Sequence, residues 1–389
     1  MELNKNKKII PGFNTLSIHH GKSFAEETGC IMPPIFATST FKHGNVENFD
    51  YTRSGNPNFR ILADILKALE NSKYCTVFNS GISAVTAIAS SLKSGDKILC
   101  ESNLYGCTIR MFEKIFKKFN IKTFYYDFTD KDNIKKISEI NPTLIWLESP
   151  TNPLLKILDI QEICSEAKKK EIPVVVDNTF CTSMIQRPLE LGATISLIST
   201  TKLINGHSDA LGGAVLTNDA EWQEKMIFSQ KALGLHPSPF DCWLITRGLK
   251  TLPLRVEKQS KNAELISEEL LTNNLIKEIT YPFNKNHPGY LLAKSQMKLG
   301  GSMISIKLNL DKDQTFKFCK QLKYFSLAES LGGVESLICH PASMTHGSID
   351  KKTKNNLGID DSLVRLSVGC EDSDDLISDI LNSFESLSM

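Results

Sequence analysis

From about residue 60 to residue 220, short apolar runs alternate with stretches of helical periodicity. No other feature constrains the fold as much. Cys75–Phe78, Lys97–Cys100, Ile121–Tyr126, Thr143–Leu147, Pro173–Val176 and Ile195–Ile198 read as strands. They are apolar on both faces and rich in β-branched or aromatic residues, as strands buried within a parallel sheet are. Ile82–Leu92, Thr108–Phe119, Ile160–Lys170 and Leu189–Leu191 carry helical spacing between them. Gly95-Asp96 and Asn141-Pro142 are turn punctuation before strands. The pattern predicts an α/β fold with a mostly parallel sheet covered by helices on both faces. In such sheets ligands bind beyond the carboxyl ends of the strands, so chemistry is sought there.

After Gly248-Leu249-Lys250-Thr251-Leu252-Pro253 the texture changes. Leu254–Leu271 reads as one long amphipathic helix, followed by Ile279–Tyr281, a loop with His287-Pro288-Gly289, and the strand Met303–Leu308. The chain ends in a helix near Asp375–Leu387. A chain of 389 residues exceeds the length at which one core stops growing. We therefore expect three parts: an N-terminal arm (1–60), a large domain (61–250) and a smaller C-terminal domain (251–389). The arm, with Pro33-Pro34, Gly44 and Gly55-Asn56-Pro57, reads as a loop long enough to reach a partner.

Several function classes are excluded as expectations. A net charge of +1 gives no field for nucleic acid or an anionic membrane. The lysine groups (Lys5, Lys7, Lys8; Lys168, Lys169, Lys170) read as solvated faces with no aromatic platform beside them. No signal-type or membrane-spanning apolar run is present. None of the ten cysteines has Cys-x-x-Cys or zinc-ligand spacing, so they read as reduced thiols and no metal is expected. A cytoplasmic protein is the expectation.

The strand ends supply the candidates. Pro173–Val176 ends in Asp177-Asn178-Thr179, and Ile195–Ile198 ends in Ser199-Thr200-Thr201-Lys202. Each has a plain alternative: the aspartate as a helix cap, the lysine as its ion-pair partner. A third rim segment, Asn79-Ser80-Gly81-Ile82, opens a helix with small residues and exposes N–H groups suited to an anion. Alone, Ser80 would read as an ordinary cap. Together these segments offer a phosphate cradle, a carboxylate and an amine, the three things pyridoxal 5'-phosphate (PLP) requires.

Seven segments carry a more specific likeness. Ser-Thr-Thr-Lys-Leu-Ile-Asn-Gly-His-Ser-Asp (199–209) resembles the PLP-lysine motif of the Cys/Met-metabolism, or transsulfuration, family. Tyr51-Thr-Arg-Ser-Gly-Asn-Pro57, Tyr105-Gly-Cys-Thr108, Glu148-Ser-Pro-Thr-Asn-Pro153, Val176-Asp-Asn-Thr-Phe180, Ala328-Glu-Ser-Leu-Gly-Gly-Val-Glu-Ser336 and Arg365-Leu-Ser-Val-Gly369 resemble the rest of its pattern, in its order, from about residue 15 onward. The resemblance implies the fold type I architecture of PLP-dependent enzymes: a seven-stranded, mostly parallel sheet and a smaller C-terminal α+β domain.

It also implies roles. Lys202 is similar to the lysine that binds the cofactor and shuttles protons, and Asp177 to the partner of the pyridine nitrogen. Gly81, Ile82, Ser199 and Thr201 resemble phosphate ligands, Tyr105 the ring-stacking tyrosine, and Asn152 the residue near the ring hydroxyl. Tyr51 and Arg53 resemble a pair that reaches the phosphate of a neighbouring subunit, which implies an active dimer, with family members commonly tetramers of two such dimers. Ser330 and Arg365 resemble the binders of the amino-acid substrate's carboxylate. Proton shuttling at neutral pH requires that the Lys202 amine have a depressed pKa.

Glu329 and Arg110 resemble the cystathionine γ-synthase and γ-lyase branch, although Arg110 also reads as a plain helix-surface residue. Ser54, where bacterial synthases can carry a second arginine, is lyase-like. Cys339, where animal-type lyases carry an acid, is synthase-like. Cys107 stands where methionine γ-lyases place a cysteine, but Glu329 argues against that branch. The expectation is cystathionine γ-synthase, with cystathionine γ-lyase as the alternative and methionine γ-lyase or a homocysteine-forming sulfhydrylase behind them. A PLP-binding regulatory protein without turnover is the reading from another class; the full set Tyr105, Lys202 and Arg365 argues against it.

Overall fold

The computed structural model describes residues 11–21, 29–45, 47–347 and 351–387. Lys5, Lys7 and Lys8, part of the expected arm, lie outside the described residues. A short helix, α1 (Phe13–His19), is followed by α2 (Pro57–Glu70). The Asn56 side chain accepts the Asn58 N–H, proline occupies the first turn, and the helix ends at Asn71 with φ 59°. The Gly55-Asn56-Pro57 cluster, which reads as loop punctuation, is thus a helix start.

The strands of the large sheet follow: β1 (Tyr74–Phe78), β2 (Lys97–Glu101), β3 (Lys122–Tyr126), β4 (Leu144–Glu148), β5 (Val174–Asp177), β6 (Ile195–Ile198) and β7 (Gly213–Thr217). Their spatial order is β1-β7-β6-β5-β4-β2-β3. The pairs from β6 through β3 are parallel, and β7 runs antiparallel to both β1 and β6. The fold is therefore α/β with a mostly parallel seven-stranded sheet. Six of these strands match the apolar runs; β7, which begins at the second of two consecutive glycines, does not stand out in the sequence.

Helices cover both faces. On one lie α3 (Gly81–Ala89), α4 (Gly106–Lys114) and α8 (Ala220–Ala232). On the other lie α2, α6 (Ile160–Lys168) and α9 (Pro239–Leu249). Between these fall the short helices α5 (Lys136–Ile140) and α7 (Thr182–Ile185). Leu144 and Trp146 pack on the first face, Ile145 and Leu147 on the second. A period of two therefore operates inside a strand whose sequence shows no polar alternation.

Two expected helices are corrected. Leu189–Leu191 is a run of turns between Pro188 and Gly192, the latter at φ 100°. The interval is too short to nucleate a helix. Thr108–Phe119 divides into α4 and a separate 3-10 turn at Phe116–Phe119.

The second sheet contains β8 (Ile276–Thr280), β9 (Met303–Leu308), β10 (Ser326–Leu327), β11 (Leu337–Cys339) and β12 (Leu363–Ser367), in the order β10-β11-β12-β9-β8. It packs against α10 (Leu252–Glu269), α12 (Lys312–Gln321) and α14 (Ser373–Glu385); α11 (Tyr290–Gln296) and α13 (Lys351–Asn356) flank it in sequence. Helix α10 belongs to both halves. Leu252 and Val256 join the core beside the large sheet, whereas Ala263 and Ile266 join that of the small one.

Among the described residues no helix is long and apolar enough to cross a membrane.

Candidate active site

A cavity of about 830 Å³ opens at the carboxyl rim of the large sheet, within the size range of small-molecule sites. It gathers Ser80, Gly81 and Ile82 from the start of α3, and Tyr105 from the cap of α4. It also takes in Asn152 after β4, Asp177 at the end of β5, and Ser199, Thr201 and Lys202 after β6. Glu329, Ser330 and Arg365 close it from the second sheet. A wider groove, about 1070 Å³, lies at the opposite strand ends near Thr143, Pro173 and Thr194. None of the residues named for the first cavity lines this groove.

The N–H groups of Gly81 and Ile82 stand in the first turn of α3 and have no intrahelical acceptor. The Ser80 hydroxyl accepts the next N–H, that of Ser83. A Cβ on Gly81 would lie 2.8 Å from Cβ of Ser199, so a side chain there would fill the cradle. The Thr201 hydroxyl accepts the Gly212 N–H at 3.0 Å and donates to the Gly212 carbonyl at 3.2 Å.

Asp177 receives the N–H and hydroxyl of Thr179 on a single oxygen, Oδ1, at 3.0 and 2.6 Å. Burial raises its carboxyl from 3.8 to about 6 while those two donors oppose the rise. Glu148 is its register partner on β4. Burial, and then the charge of Asp177, push Glu148 well above the ordinary carboxyl range. Glu148 also accepts the N–H of Tyr105 at 2.8 Å and of Asn152 at 2.9 Å, fixing two cavity residues at once.

The Lys202 amine donates to Oγ of Ser330 at 2.9 Å. Burial first, then the charge of Arg365, lower it from 10.5 to about 8. Ser330 itself stands at φ 102°, a region in which a non-glycine backbone is strained by about 1–3 kcal/mol. It is held there by Lys202 and by Arg365, whose guanidinium donates to the Ser330 carbonyl at 2.9 Å and to Oδ1 of Asn152 at 2.8 Å. The Arg365 Nε, buried in the same wall, has no acceptor among the described residues.

Three expected residues stand apart. Tyr51 is 43% exposed, and Arg53 donates to the Lys231 carbonyl at 3.1 Å; neither lines the cavity. Arg110, on α4, is exposed and contacts the Cys107 sulfur at 3.7 Å without lining it. Conversely, Thr179 and Glu148 carry no separate assignment in the sequence reading. Thr179 joins Asp177 to the rim by accepting the Ser199 N–H at 2.9 Å. Both lie inside recognised segments; the missing signal is the β4–β5 register.

The sequence profile of the family described as Cys/Met metabolism PLP-dependent enzyme matches residues 14–385. The chain belongs to this family. Among curated relatives, a cystathionine beta-lyase of Lactococcus lactis is 42% identical over 97% of this chain and 100% of its own length. A cystathionine gamma-lyase of Dictyostelium discoideum is 41% identical over 95% and 96%. Among solved structures, a cystathionine gamma synthase from Xanthomonas oryzae pv. oryzae, in complex with aminoacrylate and cysteine, superposes with a TM-score of 0.95 at 38% identity, covering 98% and 99%. A cystathionine gamma-lyase from Lactobacillus plantarum, complexed with L-serine, gives 0.94 at 36% identity, covering 97% and 100%.

The chain is thus a PLP-dependent enzyme of cysteine and methionine metabolism, and its cofactor is pyridoxal phosphate. The residues present fit that group. The open cradle at Gly81, the carboxylate of Asp177 and the amine of Lys202 supply one partner for each of its reactive ends.

Proposed function

We propose that the chain joins cysteine to an activated homoserine ester at the γ-carbon, forming cystathionine. The observation that carries the chemistry is the convergence of Lys202, Asp177 and the α3 N-terminus in one cavity closed by Arg365. Gly81, Ile82, Ser199 and Thr201 would hold the phosphate of the cofactor, Asp177 would pair with its ring nitrogen, Asn152 with its ring hydroxyl, and Tyr105 would stack on its ring. When bound, pyridoxal phosphate supplies an aldehyde for the substrate's amino group and a ring that withdraws negative charge from the α-carbon. Arg365 and Ser330 bind the substrate carboxylate; the unpartnered Nε of Arg365 is a donor suited to it. Lys202, with its lowered pKa, removes the α-proton and returns protons along the substrate. Glu329, which lines the cavity and is exposed, would meet the distal end of a long amino acid, and Arg110, outside the cavity, is the second candidate for that end.

The second reading is cystathionine γ-lyase, favoured by relatives such as those of Dictyostelium discoideum and Bacillus subtilis. Both reactions use the same residues up to departure of the γ-group.

We further propose that Tyr51 and Arg53 complete the cavity of a second copy, that two such dimers form a tetramer, and that the passage from large to small domain falls within α10. All ten cysteines are free, which supports a reducing, cytoplasmic compartment.

The test has two parts. Lys202→Ala is expected to lose the visible absorbance of the bound cofactor together with activity; persistence of that band in the purified variant refutes the assignment. Wild-type enzyme is then given cysteine with an activated homoserine ester and, separately, cystathionine alone. Cystathionine from the first mixture supports the synthase. Oxobutyrate and cysteine from the second, with no synthesis in the first, make it a lyase.

A further inference from the structure

Of the five buried polar side chains of helix α10, three lie on one face and donate hydrogen bonds to other segments: Arg255 (5% exposed), Gln259 (0%) and Asn262 (1%). Their spacing of four and three residues puts them within about 60° of one another on one face. Each donates to main-chain carbonyls, and each reaches a different segment. Arg255 donates to the carbonyls of Leu203 (2.7 Å) and Ile204 (3.1 Å), directly after Lys202, and to that of Gly248 (2.9 Å). Gln259 donates to the carbonyl of Gly333 (2.6 Å), three residues after Ser330. Asn262 donates to the carbonyls of Gly369 (3.1 Å) and Glu371 (2.7 Å), just past the strand that holds Arg365.

The three segments also touch one another. Val334 N–H donates to the Gly206 carbonyl at 2.9 Å, Cys370 N–H to the Val334 carbonyl at 2.8 Å, and Gly332 N–H to Oγ of Ser367 at 2.8 Å. Gly206 and Gly332, both at positive φ, allow this approach. A Cβ on Gly206 would lie 2.0 Å from the Arg255 guanidinium, and one on Gly332 would lie 2.6 Å from the Leu203 nitrogen.

A buried guanidinium bonded to carbonyls rather than to a carboxylate loses hydration without a counter-charge. Gln259 and Asn262 leave their amide oxygens buried without a partner among the described residues. An apolar stripe would avoid that desolvation but would leave the carbonyls of Leu203, Ile204, Gly333 and Gly369 without these donors. What the polar one adds is register: a single rigid helix, rooted in both cores, sets the relative positions of three loops that come from two sheets.

We propose that Arg255, Gln259 and Asn262 are positioning residues that hold the Lys202, Ser330 and Arg365 segments in one register. This rests on the roles assigned above to those three. Because the donors address different segments, their losses should differ in kind. Gln259→Met nearly keeps volume and removes the donor. It is expected to leave the visible spectrum of the bound cofactor unchanged and to raise KM for the amino-acid substrate about tenfold, with a smaller change in kcat; a buried acceptor losing its donor has effects of that order. Arg255→Met is expected to alter the visible circular dichroism of the bound cofactor and to lower kcat about 10–100-fold, as small displacements of a reacting group do. Arg255→Lys should restore part of both.

Wild-type kinetic constants and visible spectra in folded Gln259→Met and Arg255→Lys, whatever their melting temperatures, would overturn the proposal. That pair decides the matter even if Arg255→Met does not fold. The two failures are separable. A visible band surviving in Lys202→Ala overturns the cofactor assignment. Unchanged behaviour of the α10 variants, with that band lost in Lys202→Ala, overturns only the positioning role.

Discussion

At the residue scale the proposed chemistry turns on one amine. The Lys202 pKa is lowered from 10.5 to about 8, by burial first and then by Arg365. A lowered lysine releases its proton earlier, so the neutral, nucleophilic form accumulates as pH rises through about 8 rather than through 10.5. The rate at which the apoenzyme takes up pyridoxal phosphate should therefore climb with pH to a plateau just above that midpoint. Arg365→Leu should move the midpoint upward; stopped-flow absorbance measures both. A wild-type midpoint near that of free lysine contradicts the account. Lys202 and Asp177 were legible as candidates because Asp177 ends an apolar strand and Lys202 closes the short polar segment that follows the next one. Thr179 and Glu148 were not. Their contributions are a hydroxyl shared between Asp177 and Ser199, and a carboxylate that gathers two N–H groups across strands. Neither can be read without knowing which strands are neighbours.

At the element scale, the strands β2, β4, β5 and β6 were visible because a buried strand is apolar nearly throughout, and the edge strands β1 and β3 because they are rich in aromatic and β-branched residues. By the same token, the sequence did not say which residue faces which layer. The start of α2 was misread because asparagine and proline punctuate both loops and helix beginnings. Its end carries a titration of its own. Glu70, the last residue of α2, is fully buried, accepts the Ser183 hydroxyl, and has one oxygen without a partner among the described residues. Burial raises its pKa from 4.5 to about 7. The unfolded carboxyl ionises first as pH rises, so the native state loses stability between pH 4.5 and about 7, by up to about 3 kcal/mol. Glu70→Gln can keep the Ser183 contact without the charge. The variant should melt above the wild type at pH 8, with the gap shrinking towards pH 5. A gap independent of pH would show that this carboxyl does not titrate as its burial requires.

At the scale of the whole molecule, Tyr51 and Arg53 stand outside the cavity of their own chain, and the proposed second copy gives them a site to complete. Mixing Arg53→Ala with Lys202→Ala, each of low activity alone, should then regenerate activity. Hybrid dimers would carry one intact site, and random exchange would restore about a quarter of the wild-type level. Titration of one variant with the other measures it, and no gain after subunit exchange argues that both residues act within one chain. The amino-acid order by itself determined the α/β class and the rim of the sheet as the place to seek chemistry, and it put Lys202 and Asp177 forward as candidates there. These follow from short-range patterns: apolar runs of strand length and the few residues that end them. Only the tertiary structure decided how Lys202 meets Ser330, 128 residues away, and how Arg365 meets Asn152, 213 residues away. It alone revealed that α10 serves both cores. Local sequence encodes local geometry, whereas contacts between distant segments arise only when whole elements pack and their buried polar groups must find partners.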